Sequence, residues 1–374
     1  MLYRIGDIYA ERSERGAADM ELLSVTMNDG VMQRSEIEGK DNSSEDKSSY
    51  KVVRKGDMVY NSMRMWQGAN GISPYDGIVS PAYTVLTAKQ PICNDYFAAL
   101  FKNYKLVNEF RKNSQGMTSD TWNLKYPQIE TIKVYLPGIE EQEKIASILV
   151  TLDKRIAAQA TLVAQLKKYK RGLVFTAFSP CNPYGIAVEP TPLTSLLKEY
   201  RNRETTNLRV CSVAVTKGVV DQLEHLGRSF AASDTSHYGR VKPGDVVYTK
   251  SPTGDFPYGI VKQNWLQEDV AVSPLYGVYT PLTYEVGYLI HSYFEQSSNA
   301  NNHLRTLAQK GAKNTINITT THFLDKDIPF PIREEEVSML VGLFSRINKR
   351  IESEESKLNK IVMQRKTLMQ QLFI

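Results

Sequence analysis

Between Val134 and Phe178, apolar residues fall on Ile145, Leu149, Leu152, Ile156, Val163, Leu166 and Leu173. That alternating four-and-three spacing is the seam of an amphipathic helix packed on a partner helix. Pro137 and Gly138 stop whatever precedes it. Glu140, Glu141 and Glu143 put negative charge on its first turn, and Lys167, Lys168, Lys170 and Arg171 put positive charge on its last turns, both as the helix dipole favours. The pattern predicts one helix of about 39 residues, roughly 58 Å long at ~1.5 Å per residue. Gln159 and Lys170 interrupt the stripe with polar side chains. They either set register against the partner or snorkel to water at the seam edge.

The partner is written in the same chain. A shift of 195 positions carries the stripe onto Leu340, Phe344, Ile347, Ile351, Leu358, Ile361 and Leu368, and the polar breaks onto Glu354 and Arg365. Lys154-Arg155-Ile156 reappears as Lys349-Arg350-Ile351. Stripe and breaks agreeing together mark an internal duplication.

The repeat extends beyond the helices. At a shift of 188, Glu11–Arg15 faces Glu199–Arg203, and Leu22–Val31 faces Val210–Val219. Each of the latter pair reads as a β-branched strand followed by a turn, at Asn28-Asp29-Gly30 or Thr216-Lys217-Gly218. Lys55–Tyr60 (KGDMVY) likewise matches Pro243–Tyr248 (PGDVVY). The shift grows to 193 at Ser80–Tyr83 against Ser273–Tyr276, and to 194 at Thr121–Asn123 against Thr315–Asn317. Drift confined to loops is what a duplicated fold shows. The order is therefore a globular unit at 1–133, a helical segment at 134–179, a linker and second unit at 180–327, and a closing helix at 328–374. Residues Ser179–Pro192, SPCNPYGIAVEPTP, mark the boundary after the first helix. The first unit carries short strands, at least one helix near Tyr96–Arg111 and a polar surface loop at Gly39–Ser49. Frequent strand and turn patterns with few helices predict an α+β fold.

Composition narrows the function classes. At 374 residues, 41% hydrophobic and 23% charged, the chain has material for two or more cored domains. A net charge of +5 permits nucleic-acid binding without arguing for it. Cys93, Cys181 and Cys211 form no CxxC pair, which reads as free thiols in a reducing cytoplasm. The charged N-terminus is no signal peptide, and no apolar run nears the roughly 18 residues of a membrane span. Enzyme signatures fail. Asn182-Pro183-Tyr184 lacks the second proline of the amino-methyltransferase signature and no glycine-rich cofactor loop precedes it. Glu355-Ser-Lys357 has ExK spacing, but it lies on a helix face with no Pro-Asp partner. The five histidines have no metal-ligand spacing. No catalytic set, cofactor or metal is expected.

Recognition chemistry lies in loops after the repeated strands. Asn61–Gly71 offers Asn61, Arg64, Trp66, Gln67 and Asn70, and Thr249–Phe256 offers Thr249, Lys250, Ser251 and Thr253. A second loop in each half, at Lys112–Asn123 and Ala308–Asn317, adds Lys112, Ser114, Gln115 and Thr118, and Lys310, Lys313 and Asn314. Arginine and lysine donate to guanine edges and phosphates, and asparagine and glutamine bond adenine bidentately. Loops of this composition also occur as plain solvated turns. These differ in occurring twice, with different side chains, on one repeated framework.

The chain resembles the specificity subunit of type I restriction–modification systems over nearly its whole length. The resemblance is strongest at Leu136–Ile156, LPGIEEQEKIASILVTLDKRI, and is supported by GDMVYN at Gly56–Asn61, SPAY at Ser80–Tyr83 and their echoes GDVVYT and SPLY. The second helix start departs from it, with Glu335-Glu336 or Glu336-Val337 where Glu-Gln is usual. The resemblance implies two target-recognition domains separated by a pair of long antiparallel coiled-coil helices, with pseudo-two-fold symmetry. Each domain would read half of a split double-stranded DNA target, and the helices would fix the gap. It implies no catalysis by this chain. Two methyltransferase subunits, and two restriction subunits in the full complex, would supply the chemistry. The competing reading is a duplicated coiled-coil adaptor that binds proteins and no nucleic acid.

Overall fold

The structure, a computed structural model, describes the chain except residues 16–18, 28, 29, 42, 201, 203, 206, 227–235, 251, 252, 311–315, 320, 321 and 374, and except the side chains of 225, 226, 309, 310, 316 and 317. It divides into two compact units. The first is Met1–Thr161 with Ser356–Ile374, and the second is Leu162–Glu355.

The first unit opens with β1 (Leu2–Arg4), α1 (Ile5–Ile8), β2 (Tyr9–Glu11), β3 (Leu23–Thr26), β4 (Gly30–Gln33) and β5 (Lys51–Val53). It continues with β6 (Met58–Asn61), β7 (Asn70–Ile72), β8 (Gly77–Val79), β9 (Tyr83–Ala88), α2 (Asn94–Leu100), α3 (Tyr104–Asn113), α4 (Tyr126–Ile129) and β10 (Lys133–Tyr135), and then enters α5 (Ile139–Ala177). Strand β3 alternates buried Leu23 and Val25 with half-buried Ser24 and Thr26, the period of a one-faced strand. The main sheet has the order β2-β9-β6-β7. Beside it are the hairpin β3-β4 and the pair β5-β8, bridged at Leu22–Ile78. Helix α2 brings Tyr96 and Phe97 onto the core formed with Ile5, Ile8 and Tyr9.

The second unit repeats this order. Its elements are β11 (Val188–Pro192), α6 (Leu193–Leu196), β12 (Leu197–Glu199), β13 (Arg209–Ala214), β14 (Gly218–Asp221), α7 (Gln222–Leu226), β15 (Gly239–Val241) and β16 (Val246–Tyr248). Then come β17 (Val261–Gln263), β18 (Val270–Val272), β19 (Gly277–Pro281), α8 (Tyr284–Phe294), α9 (Ser297–Arg305), β20 (Gln309–Lys310), β21 (Ile316–Asn317), β22 (Asp327–Pro331) and α10 (Glu334–Leu372). The sheet β12-β19-β16-β17 matches β2-β9-β6-β7 strand for strand, and β14-β13-β18-β15 matches β4-β3 with β8-β5. The terminal pair β11-β22 matches β1-β10. One aspartate in each copy of the repeated GD motif explains its presence. Asp57 accepts the Arg54 backbone N–H at 2.8 Å and both ends of the Arg12 guanidinium at 2.8 and 3.0 Å. Asp245 accepts Lys242 N–H at 2.8 Å and the Thr280 hydroxyl at 3.0 Å. These carboxylates lock turns and are not available for chemistry.

Helices α5 and α10 are each 39 residues long, as the periodicity predicts. In the first unit Ile145 and Leu149 share a core with Met369 and Phe373, and Asp153 takes the Arg365 guanidinium, one bond being 2.9 Å. In the second, Leu173 and Phe178 share a core with Leu340 and Phe344, and Lys167 meets Glu355 at 2.6 Å. Within each unit, the segments therefore run in opposite directions. Polar residues on the seam are engaged there. Lys170 bonds Glu295 at 2.5 Å with 13% of its side chain exposed, and Glu354 is buried beside Arg350 at 2.9 Å. Neither snorkels. At the helix starts, Gln142 is buried, donating to Pro137 O at 2.9 Å and accepting Cys93 N–H at 3.1 Å. Its counterpart Glu336 accepts Ala187 N–H at 3.0 Å and pairs with Arg333 at 2.5 Å. The departure from Glu-Gln thus replaces an amide donor with a charge that Arg333 balances.

Candidate nucleic-acid interface

In the first unit the two candidate loops meet. Strand β6 ends at Asn61, whose Oδ1 accepts Met63 N–H at 3.0 Å and starts a turn. Buried Met65 anchors the short helical turn Met65–Gln67, and Gly68, at φ +86°, closes it in a conformation that favours glycine. Arg64 and Gln67 project from that turn and are exposed. Trp66 donates through Nε1 to Met63 O at 3.1 Å and meets Trp122 edge-on, ring centroids 5.2 Å apart. Trp122 belongs to the second loop, which Leu124 N–H ties to Ser62 O at 2.9 Å.

The second loop is built as a small hairpin. Ser114 Oγ donates to Phe110 O at 2.8 Å and ends α3, and Gln115 and Asn123 exchange backbone bonds at 2.9 and 2.8 Å. Thr118 and Thr121 close its tip, with Gln115 and Thr118 exposed. Lys112 pairs with Glu109 at 2.7 Å, a surface contact that solvent weakens. Arg111 holds its guanidinium 5.5 Å from the Trp122 ring centroid. Arg111 thus lies against one of two contacting indoles, and Arg64, Gln67 and Gln115 are exposed on the two loops that bring the indoles together. A shallow recess of about 510 Å³ adjoins them, lined by Trp66, Tyr104, Lys105, Asn108 and Arg111 among others.

Two selected residues are corrected by their burial. Asn70 is fully buried, its Nδ2 donating to Gly68 O at 3.0 Å and Phe101 O at 3.1 Å, so it fastens the loop to α2 and cannot face a ligand. Thr249 is likewise buried, accepting Ile260 N–H at 3.2 Å. Conversely, Arg111, Trp122, Tyr104, Lys105 and Asn108 were not singled out. Tyr104, Lys105, Asn108 and Arg111 lie on α3 at the spacing of one polar helix face, which carried the missing information for them, whereas Trp122 lies in the second loop itself.

In the second unit Lys250 is half-buried after β16, and Thr253 is exposed in a turn closed on Phe256 at 3.1 Å. Asn301 on α9 donates to Asp255 O at 2.9 Å and holds this loop. Ser251, Lys313 and Asn314 lie outside the described residues, as does the side chain of Lys310, whose backbone pairs in β20-β21. The Asn182-Pro183-Tyr184 segment is a turn in which Asn182 Oδ1 accepts Tyr184 and Ile186 N–H, both at 3.1 Å. Among the described residues, no group of three or more His, Cys, Asp or Glu could hold a metal, and no helix is long and apolar enough to cross a membrane.

A mixed α/β framework repeated in one chain, with polar loops that differ between copies, defines the class of protein. Comparison with known proteins shows what the chain is similar to. Residues 13–168 match the type I restriction modification DNA specificity domain. The chain is 31% identical over 131 residues to the type I restriction enzyme MjaVIII specificity subunit of Methanocaldococcus jannaschii, a match covering 34% of this chain and 29% of that relative's length. The type I restriction–modification S subunit from M. genitalium superposes with a TM-score of 0.60 at 10% identity, covering 100% of this chain and 96% of that one. A chain from a structure addressing assembly and conformational transition of the type I R-M system gives 0.57 at 15% identity, covering 100% and 97%. The HsdS subunit from Thermoanaerobacter tengcongensis gives 0.51 at 15% identity, covering 100% and 96%. At these identities the structural likeness is one of fold. The resemblance to type I restriction–modification specificity subunits is borne out, in sequence by the match of residues 13–168 to that family's DNA specificity domain and in fold over the whole chain.

Proposed function

We propose that this chain is the DNA-sequence specificity subunit of a type I restriction–modification complex. The observation that carries this reading is the meeting of two loops at Trp66 and Trp122, with Arg111 against the Trp122 ring and Arg64 and Gln67 exposed on the first loop. Arginine and glutamine on an exposed ridge are the side chains that read major-groove edges, and indoles stiffen the ridge that presents them. Residues 1–133 and 180–327 act as target-recognition domains, each reading one half of an asymmetric bipartite sequence. Residues 134–179 and 328–374 act as an antiparallel coiled-coil spacer. Helices of roughly 58 Å set half-sites one to two turns apart, given a duplex repeat of about 34–36 Å. The chain performs no catalysis. Two methyltransferase subunits bring S-adenosylmethionine chemistry, and two restriction subunits join the full cytoplasmic complex.

The test is binding by the chain reconstituted with methyltransferase subunits, using duplexes mutated in one half-site at a time. Arg64→Ala and Lys250→Ala should each cost about 1–3 kcal/mol and relax specificity in one half only. Equal loss on every sequence would make them phosphate contacts and remove the base-reading role. No salt-dependent DNA affinity, even with methyltransferase subunits present, would favour the protein-binding adaptor.

A further inference from the structure

The second unit contains a recess that the candidate DNA loops do not use. It has a volume of about 640 Å³ and lies among the turn before β14, strand β17, helix α8 and this unit's segments of α5 and α10. Two buried hydrogen-bond donors line it. Lys262, in the middle of β17, is 3% exposed, and among the described residues its ammonium has no hydrogen bond or salt bridge. His291 on α8 is 4% exposed, and its Nδ1 accepts the Gln263 backbone N–H at 3.0 Å. The ring hydrogen therefore sits on Nε2, which no described residue accepts.

The charges here do not balance. The recess sets Lys167, Lys170, Arg171, Lys217 and Lys262 against Glu295, Glu352 and Glu355. Glu295 takes Lys170 at 2.5 Å and Glu355 takes Lys167 at 2.6 Å, so Lys262 is a second ammonium beside an engaged carboxylate. Burial pulls Lys262 below the usual lysine range, and the field of Glu295, shared with Lys170, only opposes that shift. Trp265, 38% exposed, has its ring centroid 5.6 Å from that of Tyr288 and 4.5 Å from that of His291, and adds an aromatic wall beside the histidine.

The duplicated unit serves as an internal comparison. Strand pairing puts Lys262 opposite Val247 and Gly71 opposite Val59, so Gly71 holds the equivalent position in the first unit. At the shift of 193, Ala98 stands where His291 does. In the first unit a Cβ on Gly71 would come within 2.9 Å of Gly30 Cα, so backbone fills the space. At the facing turn the two copies are alike, a Cβ on Gly30 meeting Gly71 Cα at 3.6 Å and one on its counterpart Gly218 meeting Gln263 O at 4.0 Å. The copies differ in the side chains, glycine and alanine in the first standing where the second has its two donors.

We propose that this recess binds a small phosphate-bearing molecule of about mononucleotide size, with Lys262 and His291 holding the phosphate and Trp265 facing the ring. The volume falls within the range of about 300–1,000 Å³ usual for small-molecule sites. A phosphate supplies several acceptor oxygens and the missing negative charge. Donors this deeply buried suit a ligand that can enter the recess better than the backbone of a rigid duplex. This proposal does not rest on the DNA-reading role.

The test uses the full chain with inorganic phosphate and AMP as probes, at ionic strength held constant with chloride. Thermal unfolding and calorimetric titration should show saturable binding of both. Lys262→Met should raise Tm without ligand, by removing a buried charge that shares its one neighbouring carboxylate with Lys170, and weaken AMP binding about tenfold or more. Trp265→Leu should weaken AMP while leaving phosphate binding unchanged, and provides a second variant if Lys262→Met does not fold. The proposal is overturned if neither probe binds beyond the chloride control, or if Lys262→Met binds AMP as tightly as the parent chain. It also falls if Lys262→Met loses duplex affinity while phosphate and AMP bind neither protein, since the recess would then seat the DNA backbone.

Discussion

His291 and His303 are buried on α8 and α9 with neutral rings, and the first unit has no histidine at all. Burial is the main cause that lowers them, to about 3 for His291 and about 4 for His303, from 6.5. Both folded values lie below the unfolded one, so the unfolded chain takes up protons first as pH falls. Stability contributed by the neutral rings is present above 6.5 and is lost between 6.5 and the folded values. Each ring should account for roughly 2 kcal/mol of lost stability at pH 5. His303→Phe, which copies Phe110 of the first unit, should remove about half of that loss in urea unfolding at pH 7 and pH 5. Equal pH dependence in variant and parent would show that other groups govern it. A second residue-scale prediction concerns Gly259, at φ +101°, where a Cβ would lie 1.8 Å from Thr249 O. Gly259→Ala should cost about 3 kcal/mol or more, whereas Gly254→Ala, at φ +50° in open space, should cost about 1 kcal/mol. Thermal unfolding of both variants decides it. Single residues were the least legible part of the sequence. Asn70 and Gln67 look alike in a polar loop, and only packing against Phe101 distinguishes the fastener from the exposed amide.

Elements were read more securely. Helices α5 and α10 are specified by local periodicity and end charges, which need no knowledge of distant residues. The helical stretch expected near Tyr96–Arg111 is made of two helices, α2 and α3, because Asn103 separates them and caps the second by accepting Lys105 N–H at 2.9 Å. Seam polarity was visible in sequence, but its partners were not. Lys170 pairs with Glu295 from α8, not with the opposite helix, whereas Arg365 pairs with Asp153 on α5. Lys170→Leu should therefore destabilise by about 1–3 kcal/mol, because it strands a partly buried carboxylate. Arg365→Leu, at a pair with 29% and 50% side-chain exposure, should cost less than about 1 kcal/mol. Denaturant unfolding separates the two. If Arg365→Leu proves the costlier change, the exposed pair is the stronger one and the ranking by burial fails.

At the scale of the whole molecule, the repeat was legible because two copies of one framework keep their apolar positions while their loops drift. The division into units was not. The sequence reads as domain, helix, domain, helix, yet the first unit draws on both ends of the described chain. Met369 and Phe373 pack with Tyr96 and Ile145, and Asn103 Nδ2 donates to Met369 O at 2.8 Å. A fragment covering residues 1–161 should consequently unfold weakly or without cooperativity, and a peptide of residues 356–374 added in trans should restore a sharp transition. Burying Met369 and Phe373 is worth about 2–5 kcal/mol each by the usual cost of truncating such side chains. A fragment that melts identically with and without the peptide would show that the unit closes by itself. The same arrangement fixes an order of events on the ribosome. The second unit is contiguous in sequence, at 162–355, and every residue of it has been made before synthesis reaches 356–374. Of the two units, the one translated first is completed last, so until then the nascent chain holds an unfinished core, to which chaperones have the longer access.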